Sequence, residues 1–176
     1  MKEIYLLRHA EKDGNGLLTQ AGEDEAKLLA KALPRFSSVF TSGSSRTIAT
    51  AKLLSNTHST PDIRAAYATA PQAESDAINK LASDKGLTFL EAAHEFGDID
   101  VLEGIEMAAR RLDGMIKEIL DIGDNRQRSL IVSHDLSISP AMALRGVPLA
   151  SIDFLDGFII SHNGQVQPFT HKDLIL

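Results

Sequence analysis

Two arginines and two histidines, Arg8, His9, Arg46 and His134, are the residues of this 176-residue sequence best suited by type and spacing to chemistry. An arginine guanidinium presents a planar fork of N–H donors that matches the oxygens of a phosphate. Two arginines and one histidine can surround the three non-bridging oxygens of a phosphoryl group. The remaining histidine, if neutral and held in one tautomer, can attack phosphorus. The set therefore predicts phosphoryl transfer through a covalent phosphohistidine.

Each of these residues follows a short apolar run of strand length. The runs are 3–7 before Arg8 and His9, 38–41 before Arg46, and 129–133 before His134 and Asp135. In an open α/β sheet the chemistry lies just beyond the carboxyl ends of the strands. We therefore expect the four residues to meet at one edge of a sheet, where helix starts near Ser44 and Leu136 add backbone N–H donors for an anion.

The elements that position these residues alternate between strand and helix, which predicts an α/β fold: a three-layer α/β/α sandwich with a mostly parallel central sheet. Strands are predicted at 3–7, 38–41, 61–66 and 129–133, helices at 20–33, 44–54, 73–82, 88–96, 101–122 and 136–144, and a terminal hairpin at 158–161 and 165–169. Thr19 is expected to cap the first helix.

Length and composition place limits on the protein's class. The 176 residues are predicted to form a single domain, 1–176, and the net charge of −6 argues against nucleic acid or an anionic membrane as a partner. There is no cysteine, so thiol chemistry and disulfides are excluded. No signal peptide or membrane span is apparent, and we expect a cytoplasmic protein.

Several segments together resemble one known family. They are Leu7-Arg8-His9-Ala10-Glu11, Leu18-Thr19-Gln20-Ala21-Gly22, the stretch from Thr41-Ser42-Gly43 through Arg46 to Ala51, and Val132-Ser133-His134. In this order they resemble the histidine phosphatase (phosphoglycerate mutase-like) superfamily, from Ile4 to about Leu144. In size the chain is similar to the small bacterial protein-phosphohistidine phosphatases. The resemblance implies that His9 is the nucleophile and that Arg8, Arg46 and His134 form the phosphate pocket.

The sequence departs from the family pattern at three places. Ala10 stands where the family usually has glycine, and the loop at 11–18 lacks the longer insert of the phosphoglycerate mutases. The glutamate that supplies a proton in the mutase branch has no clean match, although Glu74 lies in the corresponding region. Asp135 resembles the general acid of the acid phosphatase and phytase branch, but it is equally suited to cap the helix that follows.

These observations predict a metal-independent phosphatase that hydrolyses a phosphomonoester or phosphoramidate, with no cofactor. The substrate is expected to be a small phosphorylated metabolite or a phosphohistidine protein. Two alternatives remain: mutase-type phosphoryl transfer, which the short loop disfavours, and a catalytically weak protein that binds phosphorylated ligands. The acidic residues at 98–106 lack the spacing of a calcium loop, and no role is assigned to His58, His162 or His171.

Overall fold

The computed structural model describes residues 2–55, 61–63, 72–87, 89–97, 99–122 and 127–175. The strands are β1 (Glu3–Arg8), β2 (Ser38–Thr41), β3 (Asp62–Ile63), β4 (Arg128–Ser133), β5 (Gly157–Ser161) and β6 (Val166–Phe169). The helices are α1 (Gln20–Ala32), α2 (Ser45–Ser55), α3 (Gln72–Lys85), α4 (Phe89–Phe96), α5 (Ile99–Asp121), α6 (Asp135–Ala143) and α7 (Lys172–Ile175). None of the helices in these ranges is long and apolar enough to cross a membrane.

The strands form one six-stranded sheet in the order β3-β2-β4-β1-β5-β6. The first four are parallel, and β5 and β6 add an antiparallel hairpin at the other edge. The register places Arg8 beside Ser133, and Thr41 beside Val132. The carboxyl ends of β1, β2 and β4 therefore lie in one row, as the strand-end argument requires, and the predicted fold class is confirmed.

Alternating side chains of the central strand β1 supply both faces of the sheet. Ile4 and Leu6 pack on one face against α5 and α6, in a cluster that includes Leu112 and Ile138. Leu7 packs on the opposite face with the apolar sides of α1 and α2. Because successive strand side chains point to opposite faces, a single apolar strand joins the two helical layers into a three-layer sandwich.

The contacts at the start of α1 explain why threonine precedes this helix and why glycine lies in its first turn. The Thr19 hydroxyl accepts a hydrogen bond from the Gly22 amide at 3.0 Å, which confirms the predicted cap. A Cβ atom at Gly22 would lie 2.6 Å from the carbonyl oxygen of Glu11. Only glycine allows α1 to pack this closely on the chain just beyond His9, so the helix and the end of β1 are fixed together.

The structure differs from the predicted elements in a few places. The third strand is limited to β3 among the described residues, since 64–66 lie outside them, and the short helix α7 was not predicted. His171, to which the sequence argument assigns no role in the site, has a structural one. Its ring is 2% exposed and bridges the carboxylates of Asp156, at 2.6 Å, and Glu25, at 2.8 Å. The bridge joins the end of the chain to α1.

Candidate active site

The structure brings four of the predicted site residues together at the carboxyl edge of the sheet. Arg8 ends β1 and His9 follows it, His134 follows β4, and Arg46 lies in the first turn of α2. The rings of His9 and His134 have centroids 5.2 Å apart. Arg46 lies between them, with Nε 3.2 Å from His9 Nε2 and Nη2 3.5 Å from His134 Nδ1.

The partners of His9 define its tautomer. Nδ1 lies 2.8 Å from the carbonyl oxygen of Ala10, which can only accept, so we assign the proton to Nδ1. Nε2 then accepts from the Arg46 guanidinium and carries the lone pair. Burial, together with the nearby charges of Arg46 and Arg8, lowers the pKa of His9 to about 3. His9 is therefore a neutral imidazole at neutral pH, with its lone pair on Nε2.

The backbone at Ala10 is held by a second residue of α2. The Ala10 amide donates to the Thr50 hydroxyl at 3.0 Å, and that hydroxyl donates to the carbonyl of Arg46 at 2.8 Å. Ala10 is completely buried, so its methyl group is accommodated in the core where the family usually has glycine. Thr50 thus links the carbonyl that orients His9 to the helix that carries Arg46.

A chain of hydroxyl groups orients His134. Ser42 Oγ lies 2.8 Å from His134 Nε2 and 3.1 Å from Thr47 Oγ1, and Thr47 donates to the carbonyl of Ser44 at 2.9 Å. If Ser42 donates to Thr47, it accepts from Nε2–H, which leaves Nδ1 as the acceptor towards Arg46. Burial first, and the charge of Arg46 second, lower the pKa of His134 well below its ordinary value.

The two arginines supply the positive charge of the site. Burial lowers the pKa of both, and the proximity of Arg8 lowers that of Arg46 further, but a guanidinium stays charged in a protein. Arg46 has no carboxylate within ion-pairing distance among the described residues. Arg8 Nη1 lies 4.0 Å from the Asp135 carboxylate. Two half-buried cations beside two neutral imidazoles form a site suited to an anion.

Asp135 does not cap α6, so the capping role, one of the two that the sequence left open for it, is not found. His134 occupies the N-cap position because its backbone is extended, and Asp135 is the first residue of the helix. The Asp135 carboxylate instead accepts from the Ile152 amide at 3.0 Å and the Ser151 hydroxyl at 3.2 Å. Burial raises its pKa, against the opposing charge of Arg8. A raised pKa favours the protonated form that a general acid needs, and the catalytic role of Asp135 remains a prediction.

Two other residues named in the sequence argument are not placed in the site. Glu74 lies in α3, but its side chain is outside the described residues, as is His58. Within the part of the chain that the structure describes, no three histidine, aspartate or glutamate side chains are grouped so that they could hold a metal ion.

The sequence argument missed the residues that support the site. Thr47 and Thr50 lie three positions apart on the buried side of α2, a spacing that could have indicated a polar contact with the core. Ser42 follows β2 directly, so the strand-end rule could have included it. Ile152 and Phe154, which contact Arg8 through a backbone carbonyl and an aromatic ring, had no such signal because they lie about 145 residues away in the sequence.

Comparison with known proteins agrees with the fold. Residues 4–172 match the model of the histidine phosphatase superfamily, branch 1, and the chain belongs to this family. The predicted class of enzyme, a phosphatase, is confirmed at this level. No curated protein matches the sequence.

Solved structures with a similar fold include both phosphatases and a mutase. YhfR from Bacillus stearothermophilus is 20% identical, with a TM-score of 0.69 over 97% of this chain and 99% of that one. The alpha-ribazole phosphatase from Shigella flexneri is 19% identical, with a TM-score of 0.62 over 90% of each chain. Phosphoglycerate mutase from Bacillus anthracis is 16% identical, with a TM-score of 0.62 over 96% of this chain and 92% of that one.

Proposed function

We propose that this protein hydrolyses a phosphomonoester or phosphoramidate through a phosphohistidine intermediate on His9, without a metal ion. The observation that carries the proposal is the state of His9. Its Nδ1 proton is bound by the Ala10 carbonyl at 2.8 Å, and its Nε2 lone pair faces the Arg46 guanidinium at 3.2 Å. The imidazole is neutral, and once an incoming phosphoryl oxygen takes the Arg46 N–H in place of Nε2, the lone pair is free to attack phosphorus.

The proposed reaction has two steps. His9 Nε2 attacks phosphorus in line, the N–P bond forms, and the bond to the leaving group breaks as that group takes up a proton, which we assign to Asp135. Water then attacks the phosphohistidine and gives a proton to the Asp135 carboxylate, the N–P bond breaks, and phosphate leaves with His9 again neutral. In both steps Arg8 and Arg46 stabilise charge on the equatorial oxygens. We assign His134 the same role with its proton on Nδ1, the tautomer in which Nε2 accepts from the Ser42 hydroxyl.

We propose two candidate classes of substrate, a small phosphorylated metabolite and a phosphohistidine protein. The first metabolites to screen are those suggested by the names of the similar solved structures, such as alpha-ribazole phosphate. Release of free phosphate would support hydrolysis. Transfer of the label to a second metabolite would instead support a mutase, and tight binding without turnover would support a protein that only binds phosphorylated ligands.

The nucleophile can be tested by trapping the intermediate. A reaction quenched rapidly should carry phosphate on His9 that is stable to base and labile to acid, as a phosphorus–nitrogen bond requires. His9→Ala should lose both the label and turnover. His162→Ala, a change at an exposed histidine outside the site, should retain both. Label on another residue, or turnover that survives in His9→Ala, would end this mechanism.

Metal independence can be tested with a chelator and a transition-state analogue. The two guanidinium groups already neutralise the phosphoryl charge that Mg²⁺ neutralises in other phosphoryl-transfer enzymes. We expect activity to persist after thorough EDTA treatment and vanadate to inhibit as a five-coordinate analogue. Complete loss of activity with EDTA, followed by recovery with a divalent cation, would contradict the proposal.

A further inference from the structure

One surface loop makes three contacts with Arg8. Residues 151–156, which we call the Arg8 loop, form the last part of the connection from α6 to β5. The Arg8 amide donates to the carbonyl of Asp156 at 2.9 Å, and Arg8 Nη1 donates to the carbonyl of Ile152. The guanidinium carbon lies 4.3 Å from the centre of the Phe154 ring. The loop thus holds both the backbone and the head group of Arg8.

The chemistry of these contacts leaves the positive charge of Arg8 available. A carbonyl oxygen and an aromatic face both stabilise a guanidinium, but neither carries a formal negative charge. A close carboxylate would compete with an incoming phosphate. The Asp135 carboxylate lies 4.0 Å from Nη1, at the outer limit of an ion pair, and makes its hydrogen bonds to Ser151 and Ile152 instead. The Phe154 ring also lies 5.7 Å from the ring of His9, so it borders the place where phosphorus must bind.

The Arg8 loop is itself fixed at both ends. The Asp135 carboxylate binds Ser151 and the Ile152 amide at one end. At the other end the Asp156 carboxylate accepts from the amide of His171 at 2.8 Å, and the His171 ring is buried. The loop is therefore built to keep one conformation.

The centre of the loop adopts an unusual backbone conformation. Leu155 has a φ of 64°, the left-handed region that non-glycine residues rarely adopt, yet its side chain is completely buried in the core under α1 and α2. Such strain persists where the surrounding structure determines it and is concentrated at functional sites. Here the turn at Leu155 anchors the loop in the core while the adjacent Phe154 ring lies over Arg8.

We propose that Phe154 is a positioning residue, which holds the Arg8 guanidinium in the orientation that binds the phosphoryl oxygens. This inference rests on the proposed function, since it assumes that Arg8 binds phosphate. It adds an aromatic residue, far from the other site residues in sequence, to the groups that determine how tightly the site binds an oxyanion.

The test compares variants that remove or retain the aromatic face. Phe154→Leu keeps apolar bulk but removes the π-face, and we expect it to weaken binding of inorganic phosphate, measured by calorimetry, by about 2- to 30-fold. Phe154→Tyr keeps the face and should bind as the unaltered protein does. Phe36→Leu is the matched control, because it removes a partly buried phenyl ring from an aromatic contact with Tyr5 away from the site. Equal binding by Phe154→Leu and the unaltered protein would overturn the inference.

A double-mutant cycle separates positioning of Arg8 from a general effect on the fold. In an Arg8→Lys background, Phe154→Leu should cost much less phosphate affinity, because the planar group that stacks on the ring is already gone. An undiminished cost in that background would overturn the inference, even if every variant keeps its melting temperature.

A ligand-free measurement keeps this inference distinct from the proposed function. The ring current of Phe154 should shift the side-chain NMR resonances of Arg8 in the free protein, and Phe154→Leu should abolish that shift. If the shift is present but the protein neither binds nor releases phosphate, the proposed function fails and the placement of Arg8 stands. If the shift is absent while phosphate is released, the inference fails and the proposed function stands.

Discussion

Single residues of the site owe their protonation states to their surroundings. His9 and His134 lie beside two arginines in a buried pocket, and both conditions favour the neutral imidazole. The arginines keep their charge, so positive charge is concentrated on the guanidinium groups while a lone pair remains on His9. The separation of positive charge from the lone pair suits a phosphoryl dianion, because the arginines attract the dianion and His9 meets it unprotonated.

The role of Asp135 can be tested at the same scale by comparing leaving groups. An alkyl phosphate leaves as an alkoxide unless it is protonated, whereas p-nitrophenyl phosphate leaves as a stable phenolate. If Asp135 is the acid, Asp135→Asn should lower kcat/KM far more for the alkyl ester, on the order of the 10²–10⁴-fold typical of general acid catalysis. Asparagine keeps an acceptor for the Ile152 amide, so the Arg8 loop should stay in place.

The control for this comparison is Asp153→Asn. Asp153 is an exposed residue whose charge also acts on Arg8, so this change removes a nearby negative charge without removing the Asp135 carboxyl. Asp153→Asn should change kcat/KM by the same small factor for both substrates. Equal small losses for both substrates in Asp135→Asn would leave Asp135 as a residue that only binds the loop, and Glu74→Gln would then be the next variant to compare.

At the scale of elements, the strand-end rule accounts for most of what the sequence could predict. The apolar runs that end in Arg8 and His134 are strands β1 and β4, and parallel pairing makes their carboxyl ends neighbours. An apolar run and the residue that follows it are adjacent in the sequence, so both could be predicted from it. The left-handed turn at Leu155 and the contacts of Ile152 could not be predicted, since these depend on how a distant loop returns to β1. Capping by Asp135, one of the two roles left open for it, is not found because the helix starts one residue earlier than predicted.

The packing of α1 on the chain after His9 leads to a prediction about two glycines. A Cβ at Gly22 would lie 2.6 Å and 2.9 Å from backbone atoms of Glu11, which cannot rotate away. Gly22→Ala should therefore lower the free energy of unfolding by about 1–3 kcal/mol, as overpacking does. Gly114→Ala in α5 meets no atom within 4 Å and should raise it by about 0.5–1 kcal/mol.

Urea unfolding monitored by circular dichroism measures both changes. Gly22→Ala should also lower activity, because Glu11 lies two residues from His9. A Gly22→Ala variant as stable as the unaltered protein would show that the close approach of α1 to Glu11 does not require glycine at this position.

At the scale of the whole molecule, the site joins parts of the chain that only the complete fold brings together. Three parallel strand ends supply the reacting groups, and the Arg8 loop and His171 connect that edge of the sheet to α1. Both helical layers must therefore be in place before the site is complete. The buried, neutral state of its histidines is likewise a property of the folded molecule, so it must appear in how stability depends on pH.

The pKa of His9 predicts an acid-dependent loss of stability. Its pKa is about 3 in the folded protein against an ordinary value of 6.5. Between these values the unfolded chain binds more protons, so the free energy of unfolding falls as the pH falls from 6.5 towards 3. His134 acts in the same direction, whereas Asp135, whose pKa is raised, acts in the opposite direction above its ordinary value of 3.8.

Replacing His9 should reduce the slope of stability against pH, because up to one proton fewer is taken up on unfolding. In His9→Asn the slope of the unfolding free energy against pH, measured by urea titrations between about pH 4 and 6, should be smaller by up to about 1.4 kcal/mol per pH unit. His162→Asn removes an exposed histidine and should leave the slope unchanged. The comparison concerns slopes, so it holds even if asparagine changes the stability at every pH. An unchanged slope in His9→Asn would mean that His9 titrates in the folded protein as it does in the unfolded chain, which would contradict the neutral nucleophile.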